Sequence, residues 1–181
     1  MKLFTSLALS AVVGISLLSG ASYTVDKSHS SVGFKVKHMM ISNVNGAFSE
    51  FEGNFTIDEK KKLLSSVEGT VKVASINTQD NKRDNHLRSG DFFDVEKYPL
   101  MKLKLLEHNG DSGKFELTIK DVTKVVELDV EEISPAMKDP WGNTRVGFEL
   151  HGKINRKDFN INFNKILETG GLLVGDKVKF S

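Results

Sequence analysis

The stretch from Asn81 to Pro99 holds the densest set of residues able to do chemistry: Arg83, Asp84, His86, Arg88, Ser89 and Asp91, followed by Phe92, Phe93 and Tyr98. Three roles suit such a set. Asp84 and His86 could act as an acid–base pair, His86 could help hold a metal, or the segment could be a lid whose charges fix its own shape. Spacing argues against the first. The segment reads as a short helix that Thr78 can cap, with Asp80 in its first turn and Gly90 ending it in a left-handed conformation. Residues two apart on a helix do not face one another. Asp84 is therefore expected to face Leu87 or Arg88, in an ion pair, rather than His86. Ser89 and Ser112 stand beside glycines, but neither has the strand–G-x-S-x-G–helix context of an activated serine, and no Gly-rich phosphate loop occurs. No catalytic residue is assigned.

A zinc site needs at least three converging ligands. The five histidines are His29, His38, His86, His108 and His151, and no two have a close ligand spacing. Neither a metal nor a cofactor is expected. The chain has no cysteine, which excludes disulfides and thiolate chemistry.

The elements around this segment alternate apolar and polar residues. Val32, Phe34, Val36 and His38 share one face; so do Phe51, Gly53, Phe55 and Ile57, and Val67, Gly69, Val71 and Val73. Further stripes are Met101, Leu103 and Leu105; Phe115, Leu117 and Ile119; Val122, Val126, Leu128 and Val130; Val146, Phe148, Leu150 and Ile154; and a last short run, Val178 and Phe180. Period-two alternation means strands with one wet and one dry face. Turn signals at Asn43–Gly46, Asp58–Lys62, Asn109–Gly113 and Pro135–Asn143 separate them. Short connections favour antiparallel neighbours. About eight one-sided strands with little helix must cover their dry faces with each other, in a sandwich or a closed barrel. The stretch from Asn155 to Gly171 breaks the alternation and reads as a short helix or an irregular loop. Large inward residues (Phe34, Phe51, Phe55, Phe115, Phe148) mix with small ones (Gly53, Gly69, Ser75, Gly152). The small ones leave room for a ligand or are filled by their neighbours; pattern alone leaves both open.

Met1–Ala21 reads as a secretory signal peptide: Lys2, an apolar run from Leu7 to Leu18, then Ser19-Gly20-Ala21 as a cleavage site. Residues 22–181 make one domain. Without Lys2, Lys and Arg fall from 25 to 24 and balance the 24 Asp and Glu. Neutral, interspersed charge gives no reason to expect nucleic acid or an anionic membrane as partner.

Several motifs together resemble the YceI-like family. Tyr23-Thr24-Val25-Asp26-Lys27-Ser28-His29-Ser30 is similar to its opening, and Val32-Gly33-Phe34-Lys35-Val36-Lys37-His38 to the strand next in its order. Gly46-Ala47-Phe48 and Phe51-Glu52-Gly53 resemble its "G-x-F…F-x-G" element. The strongest match is Arg83-Asp84, His86-Leu87, Ser89 and Asp91-Phe92-Phe93-Asp94, ending at Tyr98-Pro99. Leu117-Thr118-Ile119, Val122-Thr123-Lys124 and Asn155-Arg156-Lys157-Asp158-Phe159 complete it. Asp121 and Asn160 stand where the family usually has glycine. The resemblance implies an all-β fold, an extended antiparallel eight-stranded lipocalin-like barrel with a short helical lid segment. It also implies a lumen for a long-chain isoprenoid or fatty-acid-type lipid, periplasmic location, and a homodimer in some members. It brings no catalytic residues.

In such a barrel the stripes would line the lumen. The expected ligand-binding residues are Phe34, Val36, Phe51, Phe55, Val71, Val73, Leu103, Leu105, Phe115, Leu117, Val126, Leu128, Phe148 and Leu150, with Leu87, Phe92 and Phe93 closing the mouth. Arg83 or His86 would meet a polar head group. The chain would bind, carry or store the lipid. The alternatives are a structural or interaction barrel, and a lipid-modifying enzyme using Asp84 and His86. The last run is short and meets Ser181, so barrel closure would rest on a truncated strand.

Overall fold

The computed structural model describes residues 20–168 and 171–181. The expected signal peptide lies outside them, apart from its last two residues. The apolar–polar alternation becomes strands β1 (Ala21–Thr24), β2 (Val32–His38), β3 (Ser42–Phe48), β4 (Phe51–Asp58) and β5 (Leu63–Lys72). Next come β6 (Ile76–Asn77), helix α1 (Asn81–Arg88), β7 (Leu100–Asn109), β8 (Ser112–Ile119) and β9 (Val122–Glu131). The small hairpin β10 (Met137–Lys138) and β11 (Thr144–Arg145) precedes β12 (Glu149–Asn155) and β13 (Val174–Phe180).

Eleven of these strands form one sheet in the order β1-β4-β5-β7-β8-β9-β12-β13-β2-β3-β6, and β10–β11 stands apart. Topology forces this sheet to curl. β5 is third in the order and β6 is last, yet only the 3₁₀ turn Val73–Ser75 joins them. The far edge must therefore return to the near side. Hydrogen bonds record the return: Lys72 N–H donates to Glu50 O at 2.8 Å, and Glu50 N–H donates to Ser75 Oγ at 3.0 Å. The result is a curled antiparallel half-barrel rather than eight strands.

The strand count was short for local reasons. Asn43–Gly46, expected as a turn, lies inside β3; it pairs with β2 from Val32↔Phe48 to His38↔Ser42. The turn itself is Met39-Met40, both at positive φ (51° and 65°), with Ile41 N–H donating to His38 O. That is the geometry of a hairpin turn whose usual residues are Asn and Gly, so the sequence carried no signal for it. β13 is seven residues long and pairs with both β12 and β2. Ser181 and Gly33 exchange backbone hydrogen bonds at 2.7 and 3.0 Å beyond its end, so the last run is longer than its sequence pattern indicated and is paired on both sides. The stretch after β12 is a 3₁₀ turn, Arg156–Phe159, and then irregular chain over residues 160–168 apart from a single bridge, Ile166↔Leu172. Asn160 ends that turn at φ 58°, and its amide approaches Asp121 Oδ1 at 3.4 Å. The two positions that depart from the family's glycines thus touch each other.

Candidate functional site

The curl surrounds a half-open, mostly apolar cavity of about 1330 Å³, larger than the roughly 300–1,000 Å³ of an ordinary small-molecule pocket. Of the residues expected to line a lumen, Phe34, Phe51, Phe55, Val71, Leu103, Leu117, Phe148 and Leu150 do border it, and so do Leu87, Phe92 and Phe93 from the lid. Val36, Val73, Leu105, Phe115, Val126 and Leu128 do not. Leu105, Phe115 and Leu128 pack among Leu64, Val67 and Val130 in a solid cluster, with Val126 against its edge. Val73 sits in the crossover turn with Phe48 and Ile76. Val36 is half-buried outside the lining. Alternation tells which side a residue faces; the curl decides whether that side meets a void or another side chain.

The lid is held by the polar residues of its own segment. Asp80, not Thr78, caps α1, its carboxylate accepting the Arg83 N–H at 3.0 Å. Thr78 instead donates its N–H and hydroxyl to Asp84, at 2.9 and 2.6 Å, and Asp84 is only 4 % exposed. The expected Asp84–Arg88 pair does not form. Arg88 donates to the carbonyls of Ala74 and Ile76, at 2.8 and 2.7 Å, tying the helix to the β5–β6 crossover. Arg83 donates to the hydroxyl and carbonyl of Thr78. His86 meets Asp91 at 2.8 Å on the surface. Neither Arg83 nor His86 borders the cavity, so neither stands where a head group in the lumen would meet it. Gly90 is not left-handed, and Ser89, in extended conformation, ends the helix. Phe93 stacks edge-on against Phe48, and Phe92 lies 4.9 Å from the Phe163 ring. Beside the lid Arg156, 4 % exposed, donates to the carbonyls of Ile161, Phe163, Val174 and Gly175 and to Asp176. Burial pushes its pKa down from the usual arginine value, and five acceptors keep its charge satisfied.

A polar rim that sequence reading missed belongs to Asp26, His29, Asp139, Asn143 and Arg145, all bordering the cavity. Arg145 donates to Asp139 at 2.7 Å and also pairs with Asp26. Asp26 is held well below the carboxylate range by Ser28, Arg145 and His29. The Asn143 amide and then Arg145 hold Asp139 down to about 2. This clamp fastens the β10–β11 hairpin to the segment after β1. Two signals pointed here: Asp26 and His29 lie in the opening motif, and Asp139-Pro-Trp-Gly-Asn143 is a loop whose aspartate can bind its own backbone, as Asp139 does to the N–H groups of Trp141 and Asn143.

Asp84 and His86 point to different partners, and no group of three or more metal-ligating side chains converges among the described residues. A curled sheet around an apolar lumen, with an aromatic lid, defines a lipocalin-like half-barrel. The chain belongs to the YceI-like domain family, whose model matches residues 23–181. A UPF0312 protein of Photorhabdus laumondii is 42% identical over 77% of this chain and 76% of its own. The crystal structure of the Campylobacter jejuni YCEI protein is 40% identical, with TM-score 0.61, over 76% of this chain and 83% of that one. A polyisoprenoid binding domain from Saccharophagus degradans superposes with TM-score 0.55 at 14% identity, over 83% of this chain and 88% of that one; at that identity the likeness shows the fold alone.

Proposed function

We propose that the protein is an exported binder of one long-chain apolar lipid, a polyisoprenoid or a fatty-acid derivative, which it carries or stores in the periplasm. The observation that supports this most is the cavity: continuous, apolar, and bordered by Phe34, Phe55, Phe148 and the lid's Phe92 and Phe93. Each methylene moved out of water stabilises by about 0.8 kcal/mol, so a long chain crosses an aqueous compartment only in a dry site. The Saccharophagus polyisoprenoid binding domain, with the same fold, adds support for a lipid of that class. The clamp of Arg145 with Asp26 and Asp139 offers polar groups at the rim for a head group. An enzymatic reading is not favoured, because Asp84 and His86 do not converge on the lumen.

The test is the mass of what the purified protein holds. Native mass spectrometry and organic extraction are expected to release a lipid from protein made in a bacterial host. Leu103 borders the cavity at mid-strand, so Leu103→Arg should yield protein that is folded but free of lipid. Parent protein with no lipid, and none taken up from detergent-dispersed polyprenol or fatty acid, would defeat the proposal.

A further inference from the structure

Charges of opposite sign alternate across one part of the sheet and not across another. On the outer side of β5, β7 and β8, Glu68, Lys104 and Glu116 are direct cross-strand neighbours, and Lys104 reaches Glu68 at 3.4 Å. Lys114 on β8 pairs with Glu107 and stands opposite Glu127. On the outer side of β12, β13 and β2 the corresponding row is Lys153, Lys179 and Lys35, each directly opposite the next. Lys177 and Lys37 lie two residues along their strands toward the Met39-Met40 turn, and β3 continues the face with Asn43 and Asn45. All five lysines are exposed. Among the described residues, lysine ion pairs are made by Lys61, Lys72, Lys104, Lys114 and Lys157, and by none of these five. Asp176, on the same strand, is held by Arg156 and Lys157. Like charges directly opposite destabilise a sheet, so an all-lysine row is a cost that an anionic partner removes.

An apolar tip stands at the end of this face. The Met39-Met40 turn is fastened to the chain before β13 by Met39 N–H donating to Leu173 O at 2.8 Å. Lys37, Met40 and Leu172 border one shallow hollow. Met40 is 65 % exposed, Ile41 83 % and Ile166 80 %. Two non-glycine residues at positive φ hold these side chains outward at some cost in backbone energy. Lys165 and Glu168 offset each other in the same loop.

We propose that this face docks on an anionic lipid bilayer, with Met40, Ile41 and Ile166 entering the acyl boundary and the five lysines meeting phosphate head groups. Apolar insertion combined with a basic patch is the physical recipe for interfacial binding. A second copy of the chain fits poorly, since a two-fold contact would set lysine rows against each other. A single free phosphate fits poorly too, because the lysines spread over three strands instead of converging. The purpose of docking rests on the lipid-carrier reading. The loop that bears Ile166 runs on from Phe163, whose ring packs against Phe92 of the lid, so docking brings the membrane within one loop of the lumen's cover.

The test is co-sedimentation of the purified protein with vesicles of phosphatidylglycerol and phosphatidylcholine in equal parts, against phosphatidylcholine alone. Binding to the anionic vesicles only, weakening with salt, is expected. Each lysine near such a surface contributes about fivefold in affinity, so Lys35→Gln with Lys179→Gln should weaken binding about 25-fold. Ile41→Asp should weaken it about tenfold or more. Both sites are exposed, and circular dichroism checks that the variants fold. Trp141 is the only tryptophan and sits 80 % exposed on the β10–β11 hairpin; brominated acyl chains should leave its fluorescence unquenched. Equal binding to both vesicles, unchanged binding of the variants, or quenching of Trp141 would overturn the proposal. A dimer by light scattering with no vesicle binding would assign the face to a second copy and overturn it as well. Lipid-free protein that still sediments would defeat the carrier reading alone; lipid-loaded protein that does not would defeat docking alone.

Discussion

Leu103 and Leu105 are neighbours on the inward side of β7, yet Leu103 borders the cavity and Leu105 is buried in solid packing. The same step separates Leu117 from Phe115 on β8. Two residues along a strand, about 7 Å, cross from lumen to core. What stands opposite makes the difference. In the packed sector Gly152 has no side chain where Leu128 lies: a Cβ there would come within 2.5 Å of Leu128 Cδ2. In the lumen sector Gly69 borders the cavity, and the nearest atom to a Cβ there is a backbone oxygen 3.6 Å away. One glycine is filled by a neighbour and the other leaves volume. The sheet is thus a packed core at one sector and a container at the other, built from one unbroken alternation.

The sharpest way to break this comparison is Phe115→Ala. Phe115 is fully buried, so its removal opens a cavity inside close packing and should cost about 3–5 kcal/mol of stability in a denaturant titration. Phe148→Ala should cost much less. Its side chain is half-buried and borders a void, and its one edge-to-face partner is Phe55 at 4.9 Å; the pair's contribution of about 0.5–1.5 kcal/mol is lost together with the part of the ring packed on the core cluster, a smaller sum than for fully buried Phe115. Lipid retention should respond in the reverse order, falling in Phe148→Ala and holding in folded Phe115→Ala. Equal stability losses would mean that the lumen sector is packed after all.

The sequence made part of this arrangement legible. Strand parity, the lid and the family pattern followed from alternation and from motifs around Arg83 and Phe92. The division between lumen and core did not, because it depends on how far the sheet curls, and that is set by the three-residue crossover Val73–Ser75 and by contacts distant in sequence. The Arg145 clamp was hidden for the same reason: Asp26 and Arg145 are 119 residues apart. The even balance of charge suggested an interspersed surface, since strand order, not chain order, puts Lys153 beside Lys179 and Lys35.

The two sectors also differ in how they respond to acid, through His108. The β5–β7 ladder ends at Glu68 and Lys104. Beyond it the His108 ring spans the gap, with Nδ1 accepting the Leu64 N–H at 2.9 Å and Nε2 donating to Gly110 O at 3.0 Å. That arrangement requires neutral imidazole, and burial pushes the His108 pKa below its ordinary value of 6.5. The unfolded chain therefore binds the proton more readily than the folded one. The stabilisation is complete above about pH 6.5 and is lost as pH falls toward the folded value. Protonation of Nδ1 removes the acceptor from Leu64, a residue of the packed cluster. Protection of the Leu64 amide, taken relative to its intrinsic exchange rate at each pH, should therefore fall as pH drops below about 6.5, with a small fall in melting temperature. His108→Gln, neutral throughout, should flatten that part of the curve, and subtracting it from the parent's curve separates this ring from the other four histidines. Parallel curves for parent and variant would mean that the packed sector does not sense pH through His108, and that its contrast with the lumen lies in packing alone.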